Sequence, residues 1–278
     1  MYAIETVNLV KKYSEFTLNN MNLKLPQGTI MGLIGENGAG KSTLIQLILN
    51  IIEKDDGYVK VLGQDHNDMS KLNEDIGIVI DGLDIPDTLK VKEVRNIMKH
   101  TYKHWDNELF EHYMNCFNIK NDTLRRLSYG TRKKLNIAIA LSHHPKLLIL
   151  DEATTGLDPI ARDEVLDILN EFTREEDHSI LISSHIVGDL EKICDYISFI
   201  HKGELILCEE KDVLLENYAC IHTTKEKLGE FNPSAIVGIK ENPYGVEALV
   251  IKKAMPQDLA FTPIDIETLF IFMIKGEK

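Results

Sequence analysis

Long apolar runs are missing from this chain of 278 residues. A helix that spans a bilayer needs about 18 consecutive apolar residues. Stretches such as Leu269-Phe270-Ile271-Phe272-Met273-Ile274 stop far short of that. Work at a membrane would therefore require another chain to cross it. The N-terminus, Met1-Tyr2-Ala3-Ile4-Glu5, has no basic region followed by an apolar stretch, so no signal peptide is expected. Cysteine is scarce. Cys116, Cys194, Cys208 and Cys220 are widely scattered, with neither metal-type pairing nor a disulfide framework. Such usage fits a reducing cytosol. Basic charge is also short: 31 Lys and Arg stand against 44 Asp and Glu, a formal net charge of -13. Phosphate contacts need clustered cations, so no nucleic-acid partner is expected, and no polybasic membrane anchor. The local basic stretches Arg125-Arg126 and Arg132-Lys133-Lys134 read as a solvated helix face or a docking edge. No internal repeat or low-complexity segment is visible.

What the chain does have is concentrated at residues 35 to 43, Gly35-Glu36-Asn37-Gly38-Ala39-Gly40-Lys41-Ser42-Thr43. This is the P-loop pattern that grips nucleoside triphosphates. Glycines let successive backbone N–H groups turn inward as an anion nest. Lys41 can reach the β- and γ-phosphates, and Ser42 can put its hydroxyl on Mg²⁺. The buried-strand run Thr29 to Ile34 precedes the loop, and helical sequence from Ser42 to Leu49 follows it. The helix N-terminus then adds its dipole to the phosphate site.

Short strands are expected before residue 34, where Val7, Leu9, Phe16, Leu18, Met21, Leu23 and Leu25 roughly alternate with polar residues. Tyr58 to Leu62 and Ile76 to Ile80 read as further strands. Between about 88 and 143 the pattern turns helical: Val91, Val94, Ile97 and Met98 recur at helix spacing. From Lys146 strands and helices alternate again, with apolar runs at Leu147 to Leu150, Ile180 to Ser183 and Tyr196 to Ile200. That alternation predicts an α/β fold with a mainly parallel sheet covered by helices. A composition shift near residue 216 marks a small extension with no nucleotide motif. Within it, Thr262 followed by Pro263 predicts a capped helix with Ile266, Leu269, Phe270 and Met273 on one apolar face.

Leu147-Leu148-Ile149-Leu150-Asp151-Glu152 is a buried strand that ends in two acids. Asp151 can hold Mg²⁺ beside the P-loop, and Glu152 can position or deprotonate a water in line with the γ-phosphate. Leu127-Ser128-Tyr129-Gly130-Thr131 precedes a helix, for which Ser128 suits the N-cap.

These residues, in this order, resemble the ATP-binding cassette (ABC) proteins. Leu127 to Thr131 is similar to their signature sequence, usually Leu-Ser-Gly-Gly-Gln, and Thr155-Gly156-Leu157-Asp158 to their D-loop. His185 matches the switch histidine, and Tyr13 the aromatic that stacks on adenine. The resemblance covers about residues 1 to 215. It implies a P-loop NTPase cassette: a RecA-like core, an antiparallel β-subdomain and an inserted helical subdomain near 83 to 143, with residues 216 to 278 as a small α/β extension. It also implies a head-to-tail pair of cassettes, self-paired or with a related ATPase. Each ATP would lie between the P-loop of one copy and the Ser128–Gly130 signature of the other. Lys41, Glu152 and His185 would then act in catalysis. Gly35, Asn37, Gly38, Gly40, Ser42 and Thr43, with Tyr13, would bind nucleotide.

Two positions depart from the family pattern. Asp81, shorter and charged, stands where the Q-loop usually carries Gln, and is expected to contact Mg²⁺. Tyr129 and Thr131 replace the usual Gly and Gln of the signature. Asp81 and Asp158 are expected to couple the site to the rest of a transporter. The departures, together with the Trp105 to Phe110 stretch and the Leu269-Phe270 helix, resemble peptide-exporter ATPases of the bacitracin-resistance type. That resemblance implies an ATP-hydrolysing subunit at the cytoplasmic face of the cell membrane, driving a separate transmembrane permease. A nutrient importer, which more often keeps the Gln and the Gly-Gly-Gln signature, and a soluble mechanical ATPase are the alternatives.

Overall fold

The computed structural model describes residues 1–66, 72–82, 85–243, 245–256 and 258–276. The chain forms two compact units, Met1–Leu207 and Cys208–Lys278. In chain order the first contains strands β1 (Tyr2–Lys12), β2 (Thr17–Met21), β3 (Lys24–Pro26) and β4 (Ile30–Ile34), and helix α1 (Lys41–Ile48). Strands β5 (Asp56–Val61), β6 (Gln64–Asp65) and β7 (Ile76–Val79) follow. Helices α2 (Val91–Thr101), α3 (Asn107–Cys116) and α4 (Tyr129–Leu141) come next. The run closes with β8 (Leu147–Asp151), α5 (Pro159–Phe172), β9 (Ser179–Ser183), α6 (Val187–Ile193) and β10 (Tyr196–His201), and β11 (Glu204–Glu210) begins in this unit.

Strands β1, β2, β3, β5 and β6 make an antiparallel sheet around β1. The second sheet has the order β11-β10-β4-β9-β8-β7. From β10 to β7 every neighbouring pair in it is parallel. A parallel sheet covered on both faces needs strands that are apolar throughout. Ile30–Ile34, Leu147–Asp151 and Ser179–Ser183 are buried at every residue, as that demands. The order matters for chemistry. It sets the carboxyl ends of β4, β9, β8 and β7 side by side, about 4.8 Å apart per strand. The P-loop, His185, Asp151-Glu152 and Asp81 follow those four ends.

Helices α2, α3 and α4 occupy the sequence between β7 and β8. The expected start of this helical segment, residue 83, lies outside the described residues. Asp106 caps α3 through the N–H groups of Glu108 and Leu109, and Ser128 caps α4 through that of Thr131. Each cap satisfies donors that a helix cannot satisfy itself. The basic stretch of α4 is not a solvated face. Lys133 is 6% exposed, and Lys134 pairs with Glu164 of α5 at 3.3 Å. Their aliphatic stems pack inward, and local acceptors take up the charged ends.

The second unit holds α7 (Lys211–Asn217), β12 (Tyr218–Thr223), α8 (Lys225–Leu228), β13 (Ile236–Asn242), β14 (Gly245–Ile251) and α9 (Ile266–Lys275). Its strands form an antiparallel sheet in the order β12-β14-β13. Helix α9 begins later than its sequence suggests. Asp265, not Thr262, is the cap, and accepts from the Thr268 N–H at 2.7 Å. Thr262 is held elsewhere, because its N–H and C=O bond the backbone of Cys220 at 2.8 and 3.0 Å. The buried residues of α9 are Ile266, Leu269 and Phe272. Phe270 and Met273, expected on that face, are only partly buried.

Candidate functional site

The chain leaves β4 at Ile34 and turns through the glycine loop into α1. Gly40 is the N-cap of α1, with φ 114°. A Cβ there would lie 2.7 Å from Leu18 Cδ1 and 3.0 Å from Phe16 Cζ, so both conformation and space require glycine. The N–H groups of Lys41, Ser42 and Thr43 belong to the first helical turn and have no intrahelical partner. Lys41 is buried. Its Nζ donates to Gly35 O at 2.7 Å and lies 3.9 Å from Glu152 Oε1. A cation, free N–H groups and a helix dipole therefore converge on one spot. They open on a cleft of about 660 Å³, lined by residues 36–43 together with Phe16, Asp81, Glu152, Thr155 and His185.

Opposite the loop stands Glu152, just after β8, while Asp151, the last residue of β8, lies outside the cleft lining. Asp151 is buried, and its Oδ1 accepts from Ser183 Oγ at 2.5 Å. Glu152 has a left-handed backbone, φ 52°. Its N–H donates to Ser183 O and to Ser183 Oγ, each at 3.1 Å. Its Oε2 accepts from Thr155 Oγ1 at 2.5 Å and lies 2.7 Å from His185 Nδ1. Burial pushes the Glu152 carboxyl upward. Hydrogen bonds from Thr155 and His185, with the charges of His185 and Lys41, outweigh that and hold it below the usual value. The carboxylate is therefore ionised at neutral pH. An ionised carboxylate facing a phosphate-binding loop can accept a proton from water.

The structure gathers Lys41, Ser42, Thr43, Asn37, Gly38, Gly40, Glu152, His185 and Asp81 in one cleft. Gly35 sits at the base of the loop, where a Cβ would meet Ile200 O at 2.5 Å. Tyr13 does not line the cleft. It is 47% exposed, and its ring lies 6.4 Å from that of Phe16, which does line it. Ser128 and Gly130 are also outside the cleft lining. Gly130 packs on the D-loop, with its Cβ position 3.2 Å from Leu157 Cδ2. The Tyr129 ring covers Gly156 (φ 77°), where a Cβ would come within 2.7 Å of it. Asp158 caps α5 through the N–H groups of Ile160 and Ala161.

Sequence reasoning missed three contributors. Thr155 was visible three residues after Glu152, at the spacing of a turn that reaches back to its own start. Phe16 lies in the short link between β1 and β2 and carries no local sign of a ligand role. Lys133 was hidden in a basic run.

This fold and site define a P-loop nucleoside triphosphatase of the cassette type. The chain belongs to the ABC transporter family: the family model "ABC transporter" matches residues 18–155. It is 34% identical over 238 residues to the bacitracin transport ATP-binding protein BcrA of Enterococcus faecalis, covering 84% of this chain and 75% of that one. It is 36% identical over 215 residues to the lantibiotic transport ATP-binding protein SrtF of Streptococcus pyogenes, covering 74% and 90%. Among solved structures it is similar to cbiO1 from Clostridium perfringens, part of the ABC transporter complex cbiONQ. The TM-score there is 0.65 at 28% identity, over 77% of this chain and 91% of that one. The chain is an ATP-binding ATPase. No helix among the described residues is long and apolar enough to cross a membrane.

Proposed function

We propose that this ATPase is the energy-supplying subunit of an exporter that expels a peptide or antimicrobial compound through a separate transmembrane permease. Its place would be the cytoplasmic face of the cell membrane. The observation that carries the ATPase half is the Glu152 carboxylate, ionised and held by Thr155 and His185 within 3.9 Å of the P-loop lysine. The export half rests on relatives named for bacitracin and lantibiotic transport.

In this reading the first-turn N–H groups of α1 and the Lys41 ammonium hold the β- and γ-phosphates. Glu152 takes the proton of the attacking water, and His185 holds the Glu152 carboxylate and faces the γ-phosphate. Tyr13 stacks on adenine, with Phe16 beneath the loop. Among the described residues there is no cluster of three or more His, Cys, Asp or Glu placed to cage a metal. Mg²⁺ binds through one or two protein oxygens and keeps phosphate oxygens and water. The Ser42 hydroxyl and the Asp151 carboxylate would hold it. When bound, Mg²⁺ neutralises charge developing on the β- and γ-oxygens. Asp81 turns its Oδ1 to Tyr129, at 3.1 Å, so we assign it to coupling rather than to the metal, along with Asp158. Ser128 and Gly130 lie outside their own cleft, which supports a role on the nucleotide of a second cassette, identical or related. No nucleic acid is involved.

The test is coexpression of the chain with the multi-span protein that copurifies with it, in a bacterium sensitive to bacitracin and lantibiotics. Growth at severalfold higher peptide concentration, lost with Lys41→Ala, is the expected result. Unchanged sensitivity together with copurification of a solute-binding protein would place the chain in an importer.

A further inference from the structure

Two of the three residues at which the chain departs from the cassette pattern, Asp81 and Tyr129, touch each other. The Tyr129 hydroxyl donates to Asp81 Oδ1 at 3.1 Å. The same carboxylate oxygen lies 3.6 Å from Nζ of Lys133, one turn further along α4. That ammonium also sits over the Tyr129 ring, 5.0 Å from its centroid. It reaches past both to donate to the backbone carbonyl of Glu152. Lys133 is 6% exposed. A lysine charge at that depth is costly unless it is met by acceptors. Here they come from three places: a carboxylate after β7, an aromatic face at the start of α4, and a peptide carbonyl after β8. Asp81, Tyr129, Lys133 and Asp151 also line a common cavity of about 50 Å³.

The peptide that Lys133 holds is unusual. Glu152 is a non-glycine residue at φ 52°, a conformation that persists only where neighbours enforce it. Ser183 holds its N–H side, while the Thr155 N–H, at 3.2 Å, and Lys133 hold its carbonyl side. Ser183 and Thr155 belong to the core of the sheet and the turn itself. Lys133 alone of these comes from α4, the helix that starts at Ser128.

We infer that Lys133 is a positioning residue for hydrolysis: clasped by Asp81 and Tyr129, it fixes the peptide that aims the Glu152 carboxylate. The Asp81–Tyr129 pair keeps Lys133 in register with that carbonyl. A shift of α4 would therefore be felt first at the aim of Glu152 and not at the phosphate grip, which α1 provides. The inference rests on Glu152 being the water-activating residue.

The test is ATP hydrolysis and fluorescent-ATP binding by the purified full chain. Lys133→Met keeps the apolar stem and removes the ammonium. It should lower kcat about 10- to 100-fold, as small misplacements of a catalytic group do, while KM for ATP moves by less than about threefold. Tyr129→Phe and Asp81→Asn, both at exposed side chains, provide an independent reading. Each should lower kcat by a similar factor, and the double variant should be no slower than the slower single one. A Lys133→Met enzyme with full kcat overturns the inference, and so do Tyr129 and Asp81 effects that multiply. If Lys133→Met fails to fold, the Tyr129–Asp81 cycle decides alone. Glu152→Gln, measured in parallel, separates the two levels. Turnover lost there but kept in Lys133→Met rejects only the positioning role. Turnover kept in Glu152→Gln rejects the base assignment beneath it.

Discussion

At the scale of single residues, the state of Glu152 is set by its partners. Thr155 Oγ1 donates to the carboxylate at 2.5 Å, and this bond is the first of the influences that offset burial and lower the Glu152 carboxyl. A hydrogen bond to the charged form favours that form, so its loss raises the carboxyl's affinity for protons. Thr155→Val, nearly isosteric, should therefore shift the acid limb of the kcat–pH profile to higher pH. At a given acidic pH more of the base is protonated and turnover falls. A profile from pH 4.5 to 8 checks this, and an unmoved acid limb would mean that Thr155 does not tune the base. The residues most legible in the sequence were those whose chemistry needs a short contiguous pattern. Gly35 to Thr43 and Asp151-Glu152 announce themselves because one loop and one strand end place them. Lys133 sits in the basic run Arg132-Lys133-Lys134, which reads as a solvated helix face or a docking edge. Its burial follows from the packing of α4 against β7 and the β8 end, which no local pattern encodes.

At the scale of elements, apolar runs located the parallel strands well, because a strand buried on both faces has no room for polar residues. Helix positions were less legible. Ile97 shares the apolar spacing of α2 yet is 48% exposed, since a helix on the surface of a small bundle buries only part of its apolar stripe. Helix α9 shows how a cap can be misplaced. Thr262-Pro263 has the residue types of a helix start, but backbone bonds to Cys220 draw Thr262 to the sheet edge. The true cap, Asp265, has its carboxyl lowered by hydrogen bonds from Thr268, against a smaller upward push from burial. Asp265→Ala should destabilise the second unit by about 1 kcal/mol at neutral pH, whereas Thr262→Ala should change little. The sign of the pH dependence follows. A depressed folded-state carboxyl stabilises above its unfolded value and loses that contribution as pH falls through the folded value. The gap between Asp265→Ala and the parent should thus close toward acid. Urea unfolding at pH 7 and pH 3 measures both, and a gap that persists at pH 3 would mean the carboxylate's charge is not the stabilising feature.

At the scale of the whole molecule, the cleft is built entirely within the first unit, from Phe16 to His185. The family resemblance carried the antiparallel subdomain, the parallel core and the helices between β7 and β8, all of which the fold contains. Ser128 and Gly130 lie outside that cleft lining, which supports the proposal that a complete site uses a second cassette, with ATP between the two. In that proposal Glu152 is the residue whose chemistry would let the pair separate. The most direct measurement is the state of Glu152→Gln with Mg²⁺-ATP, followed by size-exclusion chromatography with light scattering and by phosphate release. The expected result is nucleotide affinity near that of the parent, phosphate release reduced at least about a hundredfold, and a stable ATP-dependent dimer. Continued phosphate release at the parent rate, with a monomer at every ATP concentration, would contradict it.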